Sequence, residues 1–163
     1  VLWAASVTTG FVLIATSILG WTLLTLALID WRHQLLPDKL TLPLGLAGLG
    51  VAYLIDRTFF VDHVMGAAIG FALLYGVARI YRYARGREGL GAGDAKFLAA
   101  IGAWVSWEGL PSVVFLGALF GLLGLFILRL GGAEIRAGDR IPFGAYLAVA
   151  AWLVWLYGPL GVS

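Results

Sequence analysis

Six apolar runs, at roughly 5–29, 40–55, 61–80, 95–107, 112–130 and 142–159, occupy most of this chain and leave little room for any fold built in water. A helix needs about 20 apolar residues, with a range of about 17–25, to cross a bilayer. The first, third and fifth runs meet that length, and the sixth meets it marginally. The second and fourth are short, as in helices that end inside the protein or dip around a polar cavity. Strands are not expected, because no alternation of the β-barrel kind occurs. The pattern predicts an all-α, polytopic transmembrane bundle of about six spans, forming one domain over residues 1–163. Composition agrees: 61% of residues are hydrophobic and 12% charged, with a mean hydropathy of +0.96. Soluble domains are nearer half apolar and a quarter charged. Disorder and coiled coils are excluded on the same grounds. Glycines spaced along the runs, as in Gly66–Gly70 and Gly117/Gly121, fit close helix packing in lipid.

Basic residues orient the bundle. Six spans place the loops 30–39, 81–94 and 131–141 on one side. That side collects Arg32, Lys39, Arg79, Arg82, Arg85, Arg87, Lys96, Arg129, Arg136 and Arg140, and the other holds only Arg57. Such asymmetry marks the cytoplasmic side. The pI near 9.2 therefore reports topology and lipid contact, and no nucleic-acid partner is expected. The tryptophans Trp3, Trp21, Trp31, Trp104, Trp107, Trp152 and Trp155 fall near the expected interfaces, as in an aromatic belt. The absence of cysteine excludes disulfides, thiolate metal sites and a thiol nucleophile. The chain opens on Val inside an apolar run, which suggests a fragment or processed form of something longer.

Acids at membrane depth are candidate functional groups, and two stand out. Asp30 closes the first helix in Leu28-Ile29-Asp30-Trp31-Arg32, and Asp94 opens the fourth in Gly91-Ala92-Gly93-Asp94-Ala95-Lys96. Both belong near the cytoplasmic face. Two carboxylates that meet there can share one proton, one activating a water while the other polarises a carbonyl. Gly91 and Gly93 ahead of the fourth helix leave room for an extended substrate strand. Two other readings stay open on these residues: helix caps with surface ion pairs, or ion sites in a carrier or assembly scaffold.

The stretch from Leu28 through Asp30, Leu36, Pro37 and Asp38 to Leu44 strongly resembles the first active-site region of bacterial type IV prepilin peptidases. Gly91-Ala92-Gly93-Asp94-Ala95-Lys96 is similar to the family's G-x-G-D-x-K motif. Ile141-Pro142-Phe143-Gly144 resembles a third family segment near the last helix, although Ala145 stands where that family usually has Pro. The resemblance implies an aspartic endopeptidase of the bacterial inner membrane, with Asp30 and Asp94 as the catalytic pair. Its substrates would be prepilins of type IV pili or pseudopilins of type II secretion, cut after a Gly at the cytoplasmic face. Longer members carry a further N-terminal part, usually with paired C-x-x-C motifs, linked to methylation; without it this chain is expected to cleave and not to methylate.

The remaining polar residues have plainer expectations. Lys96 is a substrate-binding candidate or a snorkelling lysine, and Asp38 is a natural cap for the second helix. Pro142, Phe143 and Gly144 form a helix-start turn that packs on the site or touches substrate. The basic run would turn a basic leader toward Asp38, Glu88, Glu134 or Asp139. His33 and His63 lie on opposite sides, too few and too far apart for a metal site, so no metal or other cofactor is expected.

Overall fold

The computed structural model describes residues 10–55, 57–86, 91–131 and 142–161. Trp3, Asp56, Arg87, Glu88, Glu134, Arg136, Asp139, Arg140 and Ile141 lie outside them. Among the described residues the chain is helical throughout: α1 Gly10–His33, α2 Asp38–Ile55, a 3-10 turn at Arg57–Phe59, α3 Phe60–Arg85, α4 Ala92–Leu130 and α5 Phe143–Tyr157. Four stretches are long and apolar enough to cross a membrane, and α5 is a shorter apolar helix. Large side chains such as Leu13, Trp21, Leu46, Ile80 and Leu122 face outward with more than three-fifths of their area exposed. An apolar skin of this extent is untenable in water and matches lipid.

Helix α4 contains 39 residues, which would measure ~58 Å if straight, against ~30 Å of bilayer hydrocarbon. It is not straight. Ser106 breaks the ladder at φ 60°, ψ −179°, a region open almost only to glycine. A Cβ on Gly109 would then lie 2.8 Å from the Cβ of Val105, so the chain folds back. The contacts of α5 trace the reversal. Its far end, Val154, meets Gly109, while Leu147, near its start, meets Gly117 and Tyr146 meets Gly124. The first arm, 92–105, thus leaves the end where α5 begins, and the second arm, 107–130, returns to it.

Sequence explains the break, because Pro111 cannot sit in the middle of a straight helix without a lost hydrogen bond and a clash. In the opening turns of a new helix it is far cheaper. The expected fourth and fifth runs are therefore one helix-hairpin, divided at Ser106 and not by a loop between 107 and 112. Six helical arms result, of which the first arm of α4 and α5, each roughly 20 Å, are short of a full crossing.

The core is made of small residues around a few large ones. Phe97, Leu98 and Ile101 of α4 pack with Leu26, Leu147, Ala148 and Ala151. Helices α3 and α4 meet backbone to backbone: a Cβ on Gly66 would collide with the Gly102 carbonyl, and one on Gly70 would lie 2.6 Å from the Leu98 carbonyl. Trp104 and Trp155 depart from the expected interface belt. Each keeps 7% exposure or less, and their rings meet edge to face at 5.2 Å. The Trp104 indole donates to the Leu44 carbonyl at 2.8 Å, which satisfies its only polar group. Trp21 and Trp31, by contrast, are exposed.

Candidate active site

Asp30 lies in the last turn of α1 and is 4% exposed, the only buried acid among the described residues. Its partner comes from 115 residues away: Oδ2 accepts the Ala145 backbone N–H at 2.9 Å. Helix α5 begins at Pro142, which supplies no side-chain cap, so its first N–H groups need an acceptor from elsewhere. The Asp30 carboxylate provides one, and a negative charge is favoured at the positive end of a helix dipole. Gly144 permits the approach. A Cβ there would stand 3.0 Å from Asp30 Oδ2 and 2.9 Å from Leu36 Cδ1.

Asp94 occupies a matching position on α4. It lies in the first turn, half-buried, and its Oδ2 accepts the Gly91 N–H at 3.1 Å. The Asp94 N–H in turn donates to the Gly91 carbonyl at 3.2 Å. This reciprocal pairing resembles a capping box whose first residue has only its backbone to offer. Leu36 lies against both Gly93, beside Asp94, and Gly144, which also meets Asp30, so the two acids sit at one end of the bundle. Each is held by a backbone N–H at a different helix N-terminus.

Gly91 caps α4, as the sequence suggests, but Gly93 is inside the first turn and not ahead of it. The space it leaves is taken by Leu36, whose Cβ would lie 3.3 Å from a Cβ on Gly93. Lys96 points away from Asp94 and pairs with Asp38 at 2.6 Å. Both partners are more than a third exposed, so the pair adds little to stability. The expected cap by Asp38 is not formed. The Pro37 carbonyl accepts from Leu40 and Thr41 at 3.0 and 3.1 Å, which makes Pro37 the capping residue and frees the Asp38 carboxylate for Lys96. Pro142 and Phe143 open α5, and Trp31 meets Tyr146 edge to face at 6.3 Å, so the start of α5 is fixed against the end of α1. What the sequence does not reveal is that Ala145 and Leu36 complete the site.

A cavity of about 590 Å³ lies at the opposite end of the bundle, between His63, Trp104, Ser106, Glu108 and Trp155. Among the described residues no group of three His, Cys, Asp or Glu side chains is placed to hold a metal. The convergence of charge is at Asp30 and Asp94.

An all-helical, lipid-facing bundle with two aspartates at one end defines a class, that of multi-pass membrane proteins. Within that class the chain belongs to the type IV leader peptidase family, whose model matches residues 17–128. It is 43% identical over 145 residues to a prepilin leader peptidase/N-methyltransferase of Pseudomonas aeruginosa, covering 88% of this chain and 49% of that protein. A protein of the same description from Aeromonas salmonicida is 41% identical over 159 residues, covering 95% and 53%. Another from Xanthomonas campestris is 40% identical over 144 residues, covering 86% and 49%. The chain thus spans about half the length of the curated relatives it matches. No solved structure matches it.

Proposed function

We propose that this chain is a membrane aspartic endopeptidase that removes the leader peptide of type IV prepilins or type II secretion pseudopilins. What supports the reading is that Asp30 and Asp94, each bound by a backbone N–H at a helix N-terminus, lie at the same end of the bundle in a chain of the leader peptidase family. Of the relatives' double name, this reading assigns the chain the peptide-cleaving half. The site faces the cytoplasm of a bacterial inner membrane, on the side where basic residues such as Arg32, Lys39, Arg82 and Arg129 gather.

The chemistry needs one carboxylate ionised and its partner protonated, which two neighbouring acids favour because both cannot easily carry charge. The ionised group removes a proton from a water, whose oxygen attacks the scissile carbonyl carbon. The protonated group gives its proton to the carbonyl oxygen. Collapse of the tetrahedral intermediate breaks the C–N bond, and the proton taken from water passes to the leaving amine. As the intermediate collapses, its hydroxyl returns a proton to the second carboxylate, so the pair ends in its starting protonation state. Backbone donors on Asp30 and Asp94 hold the pair without neutralising it, so neither acid requires a lysine or arginine partner.

The test is cleavage of a membrane-reconstituted prepilin by this chain, with N-terminal sequencing of the product. Cutting after the leader Gly, lost in Asp30→Asn and in Asp94→Asn, is the expected result. Full activity in either variant refutes the dyad. A prepilin left intact by the wild-type chain turns the acids toward the carrier or scaffold reading.

A further inference from the structure

The link between α1 and α2 holds a residue that touches the supports of both aspartates. Its backbone is set by the sequence. Gln34 takes a left-handed conformation, φ 52°, and its N–H donates to the Asp30 carbonyl at 2.8 Å, ending α1 firmly. Pro37 follows, and its carbonyl receives the opening N–H groups of α2 and the Thr41 hydroxyl at 3.1 Å. The residue before a proline is restricted to extended conformations. Leu36 is that residue, so its side chain leaves a rigid link in one direction.

That direction leads between two glycines. On one side Leu36 fills the notch at Gly93, the residue before Asp94. On the other its Cδ1 fills the notch at Gly144, the residue before the Ala145 amide that holds Asp30. A side chain at Gly144 would force Leu36 to shift and one at Gly93 would crowd it, while a smaller residue at 36 would leave both notches underfilled. We propose that Leu36 is the spacer of the catalytic pair, its width setting the distance between the α4 and α5 N-termini and thereby between the two carboxylates. Leu36 is a positioning residue: it acts through Gly93 and Gly144 and not on the substrate.

This inference rests on the endopeptidase reading, and two measurements keep the two separable. The first is kinetic. Leu36→Ala is expected to lower kcat by about 10- to 100-fold, the scale of a misplacement near 1 Å, with KM changed by less than about threefold. Leu36→Met, of similar volume, restores most of the rate, and Leu35→Ala, at a neighbouring exposed position, leaves it unchanged. A rise in KM at constant kcat would make Leu36 a substrate contact and overturn the proposal. The second is geometric and needs no activity. The chain has no cysteine, so Asp30→Cys/Asp94→Cys can be joined by bifunctional thiol reagents of graded length. With Leu36 one linker length should dominate, and with Leu36→Ala the yields should spread over shorter and longer linkers. An unchanged linker profile refutes the spacer whatever the chain cleaves, whereas a changed profile in a chain that cuts no prepilin refutes only the endopeptidase reading.

Discussion

Replacing Gly144 by Ala tests how α5 holds Asp30. The added methyl would lie 2.9 Å from Leu36 Cδ1, 3.0 Å from Asp30 Oδ2 and 3.1 Å from Asp30 Cγ. Ordinary contacts begin near 3.5 Å, so the neighbours must retreat by about half an ångström. Leu36 Cδ1 can yield by a side-chain rotation, but the carboxylate has its own close contacts and must retreat as well, away from the Ala145 N–H at 2.9 Å. A hydrogen bond to a charged group contributes about 1.5–3 kcal/mol. At ~1.4 kcal/mol per tenfold, its loss from the productive geometry should lower kcat roughly 10- to 150-fold. Overpacking itself costs about 1–3 kcal/mol of stability. The assay pairs prepilin cleavage at saturating substrate with unfolding in detergent, for Gly144→Ala, Asp30→Ala and the double variant. Removing the Asp30 carboxylate makes room for the methyl, so the double variant should be more stable than the sum of the singles predicts, by about 1 kcal/mol or more. Gly144→Ala with kcat within a factor of two of wild type, or strictly additive stabilities, would refute the reasoning.

Two further outcomes concern the scaffold. Ser106→Gly should stabilise the chain by about 0.5–2 kcal/mol, since relief of a glycine-only conformation outweighs the entropy that glycine adds to the unfolded chain; a lower unfolding temperature in micelles would contradict it. Gly102→Ala should destabilise by about 3 kcal/mol, the upper end for overpacking. The new methyl meets the Gly66 backbone, at 2.5 Å from its carbonyl carbon, and no flexible side chain can yield. Unfolding in detergent at the wild-type temperature would show that the two helices do not touch as described.

The helices, the hairpin and the site were legible to different depths. Apolar runs gave the helices because a bilayer requires long segments with their backbone bonds satisfied internally, and the G-x-G-D spacing put Asp94 in a first turn because capping is local. Asp30 was visible as an acid, but its acceptor role at the α5 N-terminus joins residues 115 apart, and no local rule reports such a contact. The run Trp107-Glu108-Gly109-Leu110-Pro111 announced an interruption, yet its shape depends on one serine in an unusual conformation. Asp38 looked like a cap because local chemistry favours it there; Lys96, 58 residues on, draws it away. Trp104 and Trp155 resembled interface anchors until packing in the bundle core engaged their rings, an outcome that hydropathy alone does not encode.

The reversal at Ser106 bears also on how the protein enters its membrane. Between Lys96 and Arg129 the hairpin carries a single charged residue, Glu108, beside its tip. With the aspartate end retained inside, as proposed, both arms can cross together as a loop that exports no cation. The one charge that does travel is negative, and an inside-negative potential drives it outward with about 2.3 kcal/mol per 100 mV. Under the proposed function, biogenesis and catalysis would draw on the same division of charge: the hairpin's cations stay at the aspartate end, and the tip that must traverse the lipid carries none.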